Sequence, residues 1–491
     1  MNLKRTFLFI ALAGGLTGPR VWADDTTNDI QSLKQQIEQL DQKVRLLEHK
    51  QEAGNEDSAA KAKDQQIQEL DQKVRVLERK LELNAEDSEA KARETPRLTI
   101  DANGANFTSA NTNFALGLHG VLQVDSRTFV NSGVGPGADG FLLRRARPIL
   151  QGTFFHDFDF LFVPDFGGTT VQIFDAYLNY RYQPELQLQA GKFKSPVGLE
   201  SLQSDVNILF NERSLATDLV PNRDLGIGLH GDLFDGVASY AAGIFNGATD
   251  YSGTTTNADY DNDKAFAGRV FLQPLKKAGI PALQGLGFGV AGSYEVDRAW
   301  TNTVSTGLTP GYNTDGQQKF FSYTNGVVGN GTHWRISPQG YYYYGPLGVL
   351  GEYVISDQQV VNVPKGRKAD LQNTAWEVSG GLLLTGEAAS YGGVVPKHPF
   401  DPANGHWGAF QVVGRYAELN IDEAAFPNFA NPASAASAAH AWAAGLNWYL
   451  NRNVRFSTSF SRTTFTGGTG KGATVTKQPE EVLFTRIQLG F

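Results

Sequence analysis

The stretch Val482-Leu-Phe-Thr-Arg-Ile-Gln-Leu-Gly-Phe491 alternates between two kinds of side chain. One face holds the apolar residues Leu483, Ile487, Leu489 and Phe491, and the other holds Arg486, Gln488 and Gly490. Such a strand has hydrocarbon on one side and water on the other. A soluble sheet also alternates, but this chain ends in that strand, begins with an export signal and has no Cys. Together these features predict a closed β-barrel in a bacterial outer membrane.

The amino terminus is typical of a secretory signal peptide. Lys4 and Arg5 precede an apolar run over residues 7–16, and Val21-Trp-Ala23 places small residues at a cleavage site, which predicts a signal peptide over residues 1–23. The apolar run is too short to cross a bilayer as a helix. Because no other segment approaches ~20 uninterrupted apolar residues and the mean hydropathy is -0.30, insertion into a membrane must use strands.

The composition fits a barrel rich in turns and aromatic residues. The 491 residues include 54 Gly, 17 Tyr and 31 Phe, with one Met and no Cys. Large secreted β proteins share this composition, but the absence of Cys excludes disulfides and thiolate metal sites. No cofactor, metal ion or nucleic acid is expected as a ligand.

Helical periodicity covers the residues after the signal peptide. The apolar residues follow the spacing of a coiled-coil seam at Ile30, Leu33, Ile37, Leu40, Val44 and Leu47. Residues 35–63 then match residues 65–93 at 19 of 29 positions. The offset of 30 residues is two longer than four heptads, so the seam must break near Gly54-Asn55. We therefore predict a helical coiled-coil domain over residues 24–95, made of two short coils.

The number of chains in this coiled coil is open from the residues alone. β-branched residues at position a and Leu at position d favour two strands, whereas a trimeric barrel would impose three; we expect three. A periplasmic spacer is the plainer interpretation of the domain, and a specific binding role is the alternative.

From residue 96 onward the period changes to two, and residues 96–491 are predicted to form an all-β, transmembrane antiparallel barrel. The predicted strands include residues 186–193, 265–272 and 453–465. About 395 residues at roughly 24 per strand and connection give ~16 strands. Short turns are expected at one rim and long loops at the other.

The stretch from Lys194 to Asp224 follows neither period. It contains Leu199, Leu202, Ile208, Leu209, Phe210 and Leu215. Because an apolar loop of this length would not stay exposed, we predict that it folds into the barrel and narrows it. The alternative is an extracellular loop packed on its neighbours.

Five motifs, in order, resemble the phosphate-selective porins O and P across most of residues 97–491. They are Phe141-Leu-Leu-Arg-Arg-Ala-Arg147, Ala190-Gly-Lys-Phe-Lys-Ser-Pro-Val-Gly-Leu-Glu200, Leu384-Thr-Gly-Glu387, Trp407-Gly-Ala-Phe-Gln-Val-Val-Gly-Arg-Tyr416 and Gly445-Leu-Asn-Trp-Tyr449. The resemblance implies a homotrimer of 16-stranded barrels in the outer membrane. Each barrel would have its own pore, an inward-folded loop and a ladder of Arg and Lys that draws in phosphate or polyphosphate.

The same resemblance implies the lumen residues. Arg144 and Arg145 match the family's Arg pair, Arg147 lies on the face of Arg145, and Asp175 matches an acidic lumen residue. Lys192 and Lys194 flank Phe193 at the start of the loop. A narrow passage lined by cations lowers the cost of anion entry. Each of these cations could instead pair at the rim with lipopolysaccharide phosphate or with a neighbouring carboxylate.

Some positions depart from the phosphate-specific members of that family. Ser201 stands where they carry a Lys directly after Gly-Leu-Glu, and Asp159 and Gln372 stand where they carry other Lys residues. The family's basic cluster falls here on Ser356-Asp-Gln-Gln359. Residues 97–491 hold 28 Lys and Arg against 33 Asp and Glu. A broader anion channel or a general solute porin is therefore the alternative to a phosphate channel.

Two other classes of function were compared with a pore. An outer-membrane enzyme would need a nucleophile and a base, and the eight His show no motif around any Ser. An envelope-linking protein would use the coiled coil for periplasmic contacts and the barrel as an anchor in lipid and lipopolysaccharide. A passive pore for small anions such as phosphate or pyrophosphate is the function that the sequence favours.

Overall fold

The chain divides into two compact units, Met1–Pro96 and Arg97–Phe491. The computed structural model describes residues 35, 36, 38–40, 42, 43, 45, 46, 57–132, 137–168, 170–250, 262–298, 309, 311–468 and 477–491. The predicted signal peptide lies outside these residues.

The first unit contains a long helix, α1, over Asp57–Glu94. The apolar residues that follow the seam spacing in the second copy, Ile67, Leu70, Val74, Leu77 and Leu81, are partly covered, and the described side chains between them are exposed. Pairs such as Arg75 and Asp71, with a 3.0 Å contact between Nη2 and Oδ2, support the helix along its surface. The helix agrees with the predicted period, whereas its assembly into a coiled coil remains a prediction. Among the described helices, none is both long and apolar enough to cross a membrane.

The second unit is a sheet of eighteen strands with a separate two-stranded hairpin. The strands are β1 Arg97–Asp101, β2 Gly104–Thr108, β3 Ala115–Ser132, β4 Gly140–Phe154, β5 Phe158–Asp165, β6 Gln172–Gln183, β7 Leu186–Lys194, β8 Arg223–Leu233, β9 Ala238–Phe245, β10 Ala265–Leu272, β11 Leu286–Arg298, β12 Gly311–Asn313, β13 Lys319–Ser322, β14 Val327–Tyr344, β15 Leu347–Asn362, β16 Arg367–Leu383, β17 Ala409–Asn420, β18 Ala438–Tyr449, β19 Val454–Thr466 and β20 Glu480–Gly490. Short helices α2 (Leu199–Leu202) and α3 (Pro281–Gln284) lie in connections.

Sixteen strands, β3 to β11 and β14 to β20, close into an antiparallel barrel because β20 pairs with β3. The register at the closure places Arg486 opposite Asp125 and Gln488 opposite Gln123. The first residues of β3 pair with β2 instead, so the β1–β2 hairpin extends the sheet at one rim. The predicted strand number and closed barrel are confirmed.

The alternation of β20 continues around the barrel. Ile487 is 59% exposed, whereas Arg486 on the opposite face is fully buried. On β19 the buried face carries Arg455, Ser457, Ser459, Ser461 and Thr463. Polar side chains thus fill the interior, as expected of a barrel with a polar lumen.

The connections differ from the prediction of one short-turn rim and one long-loop rim. Residues 384–408 form a long connection between β16 and β17 at the rim that also holds the tight turns at residues 345–346 and 450–453. Residues 363–366 form a short turn at the opposite rim. The expectation was wrong at these two places. Residues 384–408 are long enough to pack inward, where Tyr391 lies against the buried Leu199.

Candidate functional site

The β7–β8 segment, residues 195–222, has neither sheet nor long helical structure, yet most of its side chains are buried. It contains α2 and a 3₁₀ turn over Leu215–Leu219. Its apolar side chains include Val197, Leu199, Ile208 and Leu219, each with no exposed surface. The lack of a sequence period follows, because burial on several sides imposes no single face.

Polar groups on the barrel wall satisfy the backbone of this segment. Glu352 on β15 accepts hydrogen bonds from the amide N–H of Leu199 at 2.6 Å and of Glu200 at 3.1 Å. Backbone carbonyl groups of the segment accept hydrogen bonds from five further wall side chains, namely Gln123, Arg415, Asn447, Arg455 and Gln488. Irregular backbone away from water requires such partners, and strands β3, β15 and β17 to β20 supply them here.

Two more connections contact the segment. Tyr391, in the long connection between β16 and β17, donates its hydroxyl to the carbonyl oxygen of Leu199 at 2.6 Å. The backbone N–H of Asn313, at the end of β12, donates to Asp218 at 3.0 Å. Connections from both rims therefore meet at residues 199–218.

The three arginines predicted to line the lumen, Arg144, Arg145 and Arg147, lie on β4 and all face the β7–β8 segment. A register shift between β3 and β4 falls at Gln123/Val124, opposite Arg145 and Leu143, which leaves Arg144 as the extra residue of a bulge. A bulge re-aims a side chain, so Arg144 points to the same side as Arg145 and Arg147. Strict alternation would have placed it on the opposite side.

Carboxylates of the segment pair with these arginines. Arg144 binds Glu212 in bidentate fashion, with Nε at 2.6 Å and Nη2 at 2.9 Å from its two oxygens. Asp205 contacts Arg147 and, at 3.4 Å, Arg145. Because the partners are 58 to 68 residues apart along the chain, no motif pointed to Asp205 or Glu212.

Arg213, which the sequence reasoning also missed, belongs to this cluster. Its Nη1 contacts Asp205, and its Nη2 donates to the carbonyl oxygen of Gln203 at 2.8 Å. Arg127 on β3 donates to Glu212 at 2.8 Å. Arg127 and Arg213 thus share the two carboxylates with the β4 arginines.

Asp175, Lys192 and Lys194 occupy the neighbouring strands. Asp175 pairs with Arg223 of β8 at 2.9 Å. Lys192 is buried on β7, beside Ala176 of β6. Lys194 donates from Nζ to the carbonyl oxygens of Ser201 at 2.7 Å and Gln203 at 2.9 Å. It therefore anchors the start of the segment.

A cavity of about 120 Å³ lies among these groups. Its charged lining consists of six cations and three carboxylates: Arg144, Arg145, Arg147, Lys194, Arg213 and Arg223, with Asp205, Glu212 and Asp218. A second cavity of about 320 Å³ shares Arg144 and Phe174 with it. The Phe174 ring lies 3.9 Å from the Arg147 guanidinium carbon and 4.6 Å from that of Arg223, within cation–π range.

The cavity carboxylates are in unlike electrostatic states. Burial opposes ionisation of Asp205, but Arg145, Arg213 and Arg147 outweigh it and hold the pKa of this carboxyl well below its usual range. Burial likewise opposes ionisation of Glu212, and the adjacent Arg144 lowers its pKa. Burial raises the pKa of Asp218 well above its usual value, since no cation lies against it among the described residues. Basic side chains thus outnumber carboxyl groups in the cavity lining, while Asp165 and Asp175, outside the lining, pair with Arg147 at 2.6 Å and with Arg223 at 2.9 Å. An excess of basic groups is an arrangement suited to attracting small anions.

Comparison with known proteins identifies relatives of the barrel unit. The family model for phosphate-selective porin O and P matches residues 118–491. Similar solved structures include the outer membrane channel DcaP of Acinetobacter baumannii, which is 11% identical with a TM-score of 0.48 and a match over 78% of this chain and 99% of that one. OmpT of Vibrio cholerae is 11% identical, with a TM-score of 0.47 and a match over 77% and 98%. An anion-selective porin from Comamonas acidovorans is 12% identical, with a TM-score of 0.47 and a match over 77% and 100%. The curated proteins gave no match.

Proposed function

Because the chain belongs to the phosphate-selective porin O and P family, we propose that this outer-membrane porin gives passive, anion-preferring diffusion of small solutes such as phosphate or pyrophosphate. The β7–β8 segment narrows the lumen, and the β4 arginines set the preference. Members of this family act as channels, so the chain is assigned to transport instead of catalysis.

The observation that carries this proposal is the charge around the 120 Å³ cavity. Six cations converge there on three carboxylates, one of which, Asp218, has a raised pKa. A cation excess in a confined, low-dielectric passage favours anion entry over cation entry. Arg144 supports the same conclusion, since it lines both cavities and its side chain is 27% exposed.

The arrangement of contacts supports a route along one side of the barrel. The backbone of the segment is hydrogen-bonded to β15 and β17 to β20, and its carboxylates form ion pairs with arginines of β3 and β4. The two cavities lie beside β4 and β6, among these ion pairs. A solute would therefore pass Arg144 first and then the Arg145, Arg147 and Arg213 cluster.

The test is the reversal potential of single channels in planar bilayers under a KCl gradient. Arg144→Gln should move it toward cations, because it removes the most accessible of the β4 charges. Arg181→Gln is the matched control, since Arg181 is a 44% exposed side chain on β6 that pairs with Asp159 outside both cavities. No anion preference in the unmodified channel, or equal shifts in both variants, would contradict the proposal.

A general porin without phosphate specificity is the second candidate, and Ser201 favours it. This residue lines the cavity beside Lys194 and is only 8% exposed, so the position where phosphate-specific relatives carry Lys holds a neutral hydroxyl. Ser201→Lys should strengthen block by phosphate about tenfold, as one added charged hydrogen bond would. Ser204→Lys, on an exposed residue three positions away, is the control. Equal block in both variants would count against a cavity role for position 201.

The remaining parts of the proposal concern assembly. Three barrels form a homotrimer embedded in lipid and lipopolysaccharide, and residues 24–95 form a periplasmic coiled-coil spacer with contacts of its own. The helix α1 and its partly covered seam support the spacer. Deleting residues 24–95 separates the two roles, because a pore should keep its conductance while an envelope linker would lose its function.

A further inference from the structure

Arg455 on β19 is a buried cation without a carboxylate partner. It is 2% exposed, and its Nη1 and Nη2 donate to the carbonyl oxygen of Ile208 at 2.9 Å and to Gln488 Oε1 at 3.1 Å. Within the described part of the chain, no carboxylate lies within ion-pair distance of it, and its Nε has no hydrogen-bond partner. The Tyr449 ring, 5.7 Å from the guanidinium carbon, is a third neutral partner. Because a buried charge with neutral partners alone is costly, a bound counter-ion would stabilise this guanidinium.

Two neighbouring side chains also hold donors without a partner. Ser457 lies directly across from Arg486 in the β19–β20 register. The Ser457 hydroxyl and Arg486 Nη1 have no hydrogen-bond partner among the described residues, and the two side chains are 3% and 0% exposed. Cβ atoms of facing residues in such a pair lie ~5 Å apart, and Ser457 and Arg455 are ~7 Å apart along one strand face. Three donors without a partner among the described residues therefore belong to neighbouring positions of one patch of the inner wall.

The charges of the two arginines differ. Arg486 is neutralised by Asp125, which it binds in bidentate fashion at 2.6 Å and 2.8 Å. Arg455 contributes one positive charge that no such pair offsets. The site therefore matches one negative charge, and its O–H and N–H groups suit a ligand that only accepts hydrogen bonds.

We propose that Arg455, Ser457 and Arg486 form a binding site for a small monovalent anion of the halide type. The anion accepts from Arg455 Nε, the Ser457 hydroxyl and Arg486 Nη1. Because Arg455 also holds the Ile208 carbonyl, the bound anion would stabilise the contact between the β7–β8 segment and the wall. None of the three residues lines the cavities assigned to the permeation route, so the site is independent of the proposed selectivity.

The first probe is bromide, located by anomalous diffraction in crystals of the full chain. A peak between Arg455 and Ser457 is expected, and its absence would overturn the proposal. A peak retained in Arg455→Gln would also overturn it, because the bound ion would then not depend on the unpaired charge.

The second measurement is the melting temperature of the detergent-solubilised protein, titrated with chloride against gluconate at constant ionic strength. Ser457→Ala should raise the half-saturating chloride concentration about tenfold, as expected for loss of one hydrogen bond to a charged group. Ser459→Ala, two residues along the same face, should leave it unchanged. Equal responses in both variants, or protection by phosphate but not by chloride, would refute the monovalent site. Neither readout depends on conductance, so the result stands apart from the proposed function. If Arg455→Gln fails to assemble, Ser457→Ala carries the test.

Discussion

Asp205→Asn is the sharpest perturbation of the proposed selectivity. The carboxylate contacts Arg147 and Arg213 and lies 3.4 Å from Arg145, so it offsets part of a cluster that faces the cavity. The asparagine keeps the size of the side chain and removes one negative charge. The charged lining then changes from six cations and three carboxylates to six cations and two.

The size of the effect follows from Coulomb's law. A unit charge ~4 Å from a permeating ion contributes about 1 kcal/mol in bulk water and about 4 kcal/mol at the effective dielectric near a protein surface. The lower value already corresponds to about a fivefold change for each ion, with opposite signs for anions and cations. Because the two effects multiply in the anion-to-cation permeability ratio, we expect that ratio to rise at least about 25-fold, and the rise to shrink at high salt.

The assay is single-channel reversal potential in a KCl gradient, recorded at low and at high ionic strength. Asp159→Asn is the matched control. It removes a carboxylate on β5 that pairs with Arg181 on β6, and neither residue lines the two cavities. Removing one partner of a buried pair is destabilising by about 3–5 kcal/mol, so assembly is checked by heat-dependent migration on gels. An assembled Asp205→Asn channel with an unchanged or cation-shifted reversal potential would refute the reasoning.

Three other substitutions test separate contacts. Glu212→Gln should also raise anion preference, because it removes the carboxylate bound to Arg144 and Arg127; reversal potentials measure this. Lys194→Met should raise open-channel current noise, because it removes two charged hydrogen bonds to the carbonyl oxygens of Ser201 and Gln203, each worth about 1.5–3 kcal/mol. Asp218→Asn should flatten the pH dependence of the melting temperature. Burial raises the pKa of Asp218, so the folded state keeps this proton to higher pH than the unfolded state, and stability falls as pH rises above the unfolded value of 3.8. The variant should therefore be more stable than the parent near about pH 8 and should match it near about pH 4.

Each of these has an outcome that would contradict it. For Glu212→Gln, an unchanged reversal potential in a channel that phosphate still blocks would contradict the prediction. For Lys194→Met, Lys397→Met is the control, because Lys397 makes a similar bond to the carbonyl of Gly386 on an exposed surface; equal noise in both would exclude an anchoring role. A stability difference for Asp218→Asn that does not vary with pH would mean that packing, not ionisation, is the cause.

Part of the candidate site followed from sequence pattern. The alternation of Val482 to Phe491 placed Arg486 and Gln488 on the polar face, where both are buried in the barrel. The same period placed Arg455 and Ser457 on the inner face of β19. β4 and β5 were not among the predicted strands, because the arginine-rich, proline-containing stretch over residues 140–154 does not alternate cleanly.

The sequence by itself determined the barrel, its approximate strand number and the helical period before it, because alternation and heptad spacing are local properties of the chain. It also placed Arg145 and Arg147 together on one face. Only the tertiary structure decided which charges meet. The bulge at Arg144 depends on register with β3, and the pairs of Arg144 with Glu212 and Arg486 with Asp125 join residues 68 and 361 positions apart. Such contacts form when the sheet closes and the β7–β8 segment finds partners on the wall. Electrostatic attraction acts through space, so no spacing along the chain records it.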